Sequence, residues 1–234
     1  LLIENGIYGL LLVILALGLF LHPRLAFWTS VGMFISFIGT FAVMILMDVS
    51  INMISLFGFI LSIGIVVDDA IVVGENVYAE QEAGKPPLQA AIDGTKRVGV
   101  PVTFAVLTTV AAFAPLLFLA GTVGKFLGDI PAIVITVLLF SLVEVLFILP
   151  HHLSQTPKNP DQPSSWLLRQ WKGLRLAVSR SLKRFVRGPL DRTLRFASTH
   201  YGVVISGGIA ALLVIAGLVG GGYIRFSFFP EVQG

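Results

Sequence analysis

The chain has 234 residues, of which 56% are hydrophobic and only 12% charged, with a net charge of +3 and no cysteine. Its mean hydropathy is +0.90. A soluble domain carries about 25% charged residues, so an ordinary water-soluble domain is excluded. Without cysteine there is neither a disulfide framework nor a thiolate metal site. The apolar residues stand in long blocks, the pattern of membrane-spanning helices.

Six spans follow in chain order. The first is about 6–21, closed by His22-Pro23-Arg24, and the second about 25–47, closed by Asp48. The third, about 51–78, holds the adjacent acids Asp68 and Asp69. The fourth is about 98–120, with Pro101 and Pro115 inside it, and the fifth about 130–149, closed by Pro150. The sixth is about 201–224, within a segment 200–224, and 225–234 is expected to begin a periplasmic segment. Each meets or nearly meets the ~20 residues that a helix needs to cross ~30 Å of hydrocarbon. The ~10-residue alternating runs of a membrane barrel are not seen. The expected fold is an all-α integral membrane bundle of six spans, five of them within 1–150.

Basic residues set the orientation. The loops at 22–24, 79–97 and 150–200 hold fourteen of the sixteen Lys and Arg residues, leaving Lys125 and Arg225 on the other side. By the positive-inside rule the first side is cytoplasmic, so both chain ends lie outside. The opening Leu1-Leu2-Ile3-Glu4-Asn5 has no basic start, no cleavage site and no initiator Met, so the chain reads as a piece of a longer one. The four histidines, His22, His151, His152 and His200, fall at span ends and read as interfacial residues, not metal ligands. No cofactor or nucleic-acid signal is present.

The segment 151–199 opens as a linker with Pro157, Pro160 and Pro163. An amphipathic helix follows, with Leu167, Trp171, Leu174, Val178, Leu182 and Phe185 on one face and Arg169, Lys172, Arg180, Lys183 and Arg187 mostly on the other. This predicts a helix lying in the cytoplasmic headgroup layer, with Trp166 and Trp171 as interfacial anchors.

Asp68 and Asp69 are the candidate functional residues. An ionised side chain at bilayer depth costs several kcal/mol, roughly 2.5–3.5 on insertion scales. Two carboxylates in low dielectric cannot both stay ionised without a cation, which is the chemistry of a proton-loaded switch. On a helix the neighbours point about 100° apart. Gly58, Ser62 and Gly64 supply small residues near them, so the pair is expected to face the bundle. Glu75 is a secondary polar group expected to reach the interface, and Glu144 is either a second relay group or an interfacial one. Thr103, Thr108 and Thr109 are expected to bond to their own helix.

Gly64-Ile65-Val66-Val67-Asp68-Asp69-Ala70-Ile71-Val72-Val73-Gly74-Glu75-Asn76 resembles the fourth transmembrane helix of the resistance-nodulation-division (RND) efflux pumps, in the form of the hydrophobe/amphiphile, multidrug-type branch. Gly39-Thr40-Phe41-Ala42, Ser50-Ile51-Asn52 and Phe228-Phe229-Pro230-Glu231 with Gly234 also look like family positions. The chain resembles transmembrane helices two to seven of a twelve-span transporter with two similar halves. The resemblance implies a proton/substrate antiporter of the bacterial inner membrane, exporting amphiphilic compounds, with Asp68 and Asp69 binding the transported protons. It implies a second half supplying a Lys on the tenth helix, a homotrimer, a periplasmic adaptor and an outer-membrane channel. Three other readings compete. One is an RND-like lipid or protein-export component, and another is a non-transporting truncated fragment. The last, an intramembrane aspartyl protease, is disfavoured because it needs its two acids on different helices.

Overall fold

The computed structural model describes residues 2–121, 124, 127–155 and 166–222. Contacts divide the chain into two compact units, Leu1–Arg175 and Leu176–Gly234. In the first unit the order is α1 (Leu2–Phe20), α2 (Pro23–Leu46), α3 (Met53–Glu82), α4 (Pro87–Phe113) continued by a 3₁₀ turn at Ala114–Phe118, α5 (Asp129–Val143), a π-helical turn at Glu144–Ile148, and α6 (Leu149–Ser154). Helix α7 (Trp166–Phe185) runs into the second unit, followed by a π-helical turn at Val186–Leu190, α8 (Asp191–Thr199) and α9 (Tyr201–Gly220). No strand occurs among the described residues.

Local chemistry sets the helix ends. Pro23 occupies the first turn of α2, where its missing N–H costs nothing. At the far end Asp48 takes φ 54°, the left-handed cap that lets Val49 N–H reach the Met44 carbonyl at 3.0 Å. Helix α3 opens with a capping box: Asn52 Oδ1 accepts from the Ile54 and Ser55 amides at 2.8 and 2.9 Å, and Ser55 Oγ accepts from the Asn52 amide at 2.7 Å. Asn52 also donates to Asp129 Oδ2 at 3.2 Å, tying the start of α3 to the start of α5.

Helix α3 is the central element, with α1, α2, α4, α5 and α6 packed around it. Leu25, Met33, Val73, Val77, Val106, Val134 and Leu138 form the buried core. In lipid no water-exclusion term drives this packing, so close contact and small residues must supply the attraction. A Cβ on Gly94 of α4 would lie 2.7 Å from the Val77 backbone, which shows how closely α3 and α4 approach.

Among the described residues, five helical stretches are long and apolar enough to cross a membrane: Pro23–Leu46, Met53–Glu82, Pro87–Phe118, Asp129–Ser154 and Tyr201–Gly220. The first expected span, about 6–21, corresponds to α1, whose apolar part, Glu4–Phe20, is shorter. At 1.5 Å per residue it falls a few ångströms short of the hydrocarbon thickness. The fourth helix starts at Pro87, not near 98. Its first turns carry Asp93, Lys96 and Arg97, which end an apolar block without ending a helix. Linker residues 156–165, with its prolines, and the segment 223–234 lie outside the described residues, as do the side chains of Trp166 and Trp171.

Those charges close the α3–α4 hairpin. Gly84, at φ +90°, turns the chain. Glu80 is only 4% exposed; it pairs with Lys85 Nζ at 2.7 Å and Arg97 Nη2 at 2.5 Å, and Lys85 also reaches Asp93. Hydrogen bonds that the Lys85 ammonium donates, to Asp93 first and Glu80 second, hold it above the ordinary lysine range. A raised lysine value stabilises the fold at every pH below the ordinary lysine value and fades only as pH climbs through the raised one. The hairpin is therefore indifferent to pH around neutrality. Breaking a buried pair costs about 3–5 kcal/mol, but both cations here are partly solvated. We expect Glu80→Gln to destabilise the protein by about 1–2 kcal/mol, read as a lower thermal midpoint in detergent; an unchanged midpoint would show the hairpin is held by packing alone.

Candidate functional site

Each residue of α3 advances about 100°, so its small and acidic residues split between two faces. Gly58 and Ser62 are buried, and a Cβ on Gly58 would touch Ile133 at 3.3 Å. This stripe seats α5. Gly64 and Asp68 lie roughly a quarter-turn and more away from that stripe. A Cβ on Gly64 would meet nothing within 4 Å, and Asp68 is exposed. The expectation that both acids face the bundle therefore holds in part: Asp69 is half-buried and Asp68 is open.

Two grooves meet at this face. One, of about 450 Å³, runs between α3 and α4 and is lined by Gly64, Asp68, Asp69, Val106 and Thr109 among others. The second, of about 300 Å³, runs between α1 and α3 and is lined by Leu17, Leu21, Gly64, Val67 and Asp68 among others. Asp68 belongs to both, so it stands on the ridge between them. Asp69 Oδ2 is buried with no hydrogen-bond partner. Neither carboxyl has a hydrogen bond or ion pair among the described residues.

Thr109, which lines the groove, does not relieve this, nor do the other threonines of α4. Thr103, Thr108 and Thr109 donate to the carbonyls of Gly99, Phe104 and Ala105 at 2.7, 2.7 and 3.0 Å. Their protons are spent on their own helix. The site thus places two carboxyls beside apolar side chains with no paired cation among the described residues, an arrangement chemically able to take up a proton or another small cation.

Other candidate residues lie elsewhere. Glu75, seven residues after Asp68 on the same face, is exposed. Glu144 is buried between α2 and α5, away from the pair, at the π-helical turn. The sequence reading passed over Gly32, against which the Glu144 carboxyl rests, and over Glu80, which it counted within a loop. Gly32 had a detectable signal: it stands midway between Thr29 and Ser36 at helical spacing.

The profile of the AcrB/AcrD/AcrF family matches residues 2–227. The multidrug resistance protein MdtC of Citrobacter koseri is 34% identical over 237 residues, covering 97% of this chain and 21% of its own length. MdtC of Escherichia coli (34% over 231 residues) and of Klebsiella pneumoniae (34% over 237) match with the same coverage. The chain thus spans about a fifth of the length of these relatives, and the match takes in the acid-bearing helix and the helices around it. With several apolar helices of spanning length, this is a multi-pass membrane protein, and it belongs to the AcrB/AcrD/AcrF family of RND multidrug efflux pumps.

Proposed function

We propose that this chain is the transmembrane part of a proton-driven multidrug exporter, in which Asp68 and Asp69 carry the coupling protons. The observation that supports this best is the unpaired acid pair of α3, with Asp68 on the ridge between two open grooves. A carboxyl so placed needs a counter-charge from outside the described residues. A Lys on a helix of a second, similar half answers that need. In this reading α1 also crosses the membrane, as the first of the six spans, tilting little and drawing the bilayer thinner. The whole protein has twelve pseudo-symmetric spans in the bacterial inner membrane and works as a trimer with a periplasmic adaptor and an outer-membrane channel. The name multidrug resistance protein, carried by relatives 34% identical, favours amphiphilic compounds as cargo.

The test is drug accumulation in efflux-deficient cells expressing the full-length gene, with and without collapse of the proton gradient. Lower accumulation that vanishes with the gradient supports proton-driven export. No effect on any drug, with the protein present in the membrane, would favour the lipid-export or non-transporting readings.

We further propose that α7 lies in the cytoplasmic headgroup layer. Between Trp166 and Arg187 the sequence holds seven basic residues and no acid, and Leu174, Leu182 and Phe185 of its apolar face are exposed. Each basic residue near an anionic surface is worth about 1 kcal/mol, so even two of them give roughly thirtyfold preference. A peptide of residues 165–187 should therefore bind anionic vesicles at least that much more tightly than neutral ones. Equal binding to both would remove the electrostatic part of the anchor.

A further inference from the structure

The seam between α2 and α5 holds an acid that the Asp68–Asp69 site does not use. Glu144 is 4% exposed, with no hydrogen bond or ion pair among the described residues. Its carboxyl fills a notch in α2: a Cβ on Gly32 would fall within the carboxyl group itself. Thr29 and Ser36 flank Gly32 on the same face of α2, and Ser141 precedes Glu144 by one turn of α5. All three hydroxyl residues are buried. Ser36 donates to the Gly32 carbonyl at 3.0 Å, whereas Thr29 Oγ1 and Ser141 Oγ have no partner. The helix changes to π geometry at Glu144 itself, an irregularity frequent at functional positions.

No cation answers this acid from the elements packed against it. Helix α2 carries only Arg24, which donates to the His152 carbonyl. Helix α3 carries Asp68, Asp69, Glu75, Glu80 and Glu82, and α4 carries Asp93, Lys96 and Arg97. Of these, Glu80 and Arg97 are bound to each other. Asp129 of α5 is held by Asn52, and α6 contributes His151 and His152, about two turns beyond Glu144. None of them forms an ion pair with Glu144.

We propose that Glu144 is a second proton-binding site, independent of Asp68 and Asp69, which holds a neutral carboxylic acid in the α2–α5 seam and gives up its proton to water only when that seam loosens. A neutral acid has one O–H to donate and lone pairs to accept, so it suits a seat with two unpartnered hydroxyls. A carboxylate there, 4% exposed and with no ion pair among the described residues, is costly. Because Gly32 brings the α2 backbone against the carboxyl, hydration requires α2 and α5 to move apart. Proton release and seam opening are then linked, and each drives the other by the same free energy.

Infrared spectroscopy of the full-length protein in lipid tests this in an Asp68→Asn/Asp69→Asn background, which silences the pair. The expected result is a protonated carboxyl C=O band at neutral pH that disappears at alkaline pH and is absent after Glu144→Gln. Glu144→Gln keeps the shape and neutrality of the seat, so it should fold. Gly32→Ala, which crowds the notch, should move the titration midpoint by about one pH unit, a tenfold change in proton affinity. Loss of no band on Glu144→Gln would overturn the proposal, since Glu144 would then be ionised throughout. A band that persists at every pH where the helices remain intact would also overturn it, leaving a fixed structural acid. Because drug efflux is not read, failure of the Asp68–Asp69 coupling reading leaves this spectrum unchanged.

Discussion

Replacing either Asp68 or Asp69 by Asn should reduce gradient-driven drug efflux by more than tenfold while the protein stays in the membrane at parental levels. Asn keeps the shape of Asp and cannot take up a proton. Asp68 is exposed on the ridge between two grooves and has no bonding partner among the described residues, so its neutral isostere breaks no contact. Asp69 Oδ2 is likewise without a partner, so Asn removes a charge in apolar surroundings rather than a bond, and stability should hold or rise slightly. Loss of efflux in an intact protein then reports lost coupling. Asp68→Glu keeps the acid and should retain part of the activity. Glu75→Gln, at an exposed position two turns along the same face, should stay within about twofold of the parent, because Glu75 lines neither of the two grooves that meet at Asp68. Parental efflux in either Asn variant would sink the coupling role. Equal loss in Glu75→Gln would spread that role along the whole acidic face.

The sequence was informative where a single residue type is costly in its surroundings. Adjacent acids in an apolar block announce themselves, because few structures can hold them. The long apolar runs likewise point to spanning helices by length alone. What could not be read locally was direction and partnership. Hydropathy measures how apolar a stretch is, not where its helix begins, so Pro87–Arg97 looked like loop although it continues α4. Small residues near Asp68 suggested a packed face, yet Gly58 and Ser62 seat α5 while Gly64 faces open space. The difference is an angle of about 100° per residue multiplied along the helix, which neighbours in three dimensions must resolve. Gly32 and Glu144 are 112 positions apart; each was visible, but nothing local says that one is the notch for the other. Glu80 was hidden in the same way, since its burial depends on Lys85 and Arg97 folding back over it.

The same angular argument predicts opposite signs for one substitution at two glycines. Gly→Ala inside a helix gains about 0.8–1 kcal/mol of intrinsic helix stability. At Gly64 nothing lies within 4 Å of the new methyl group, so the gain should survive and the thermal midpoint in detergent should hold or rise. At Gly94 the methyl group would lie 2.7 Å from the amide nitrogen and Cα of Val77 and 2.9 Å from the carbonyl carbon of Asn76. These are backbone atoms of a buried helix and cannot swing aside as a side-chain tip does. Overpacking of this kind costs about 1–3 kcal/mol and occasionally more, which outweighs the propensity gain. The strain also has a lever arm. Gly94 lies one turn from Arg97, and Arg97 holds Glu80 on α3, so parting the helices at Gly94 pulls on the ion pairs that close the hairpin. Gly94→Ala should therefore lower the midpoint, with larger residues lowering it further, while Gly64→Ala does not. The Gly64 variant should show its effect on transport instead, because its methyl group narrows both grooves beside Asp68. If Gly94→Ala proved as stable as Gly64→Ala, the α3–α4 approach would be looser than described and the hairpin would rest on its charges alone.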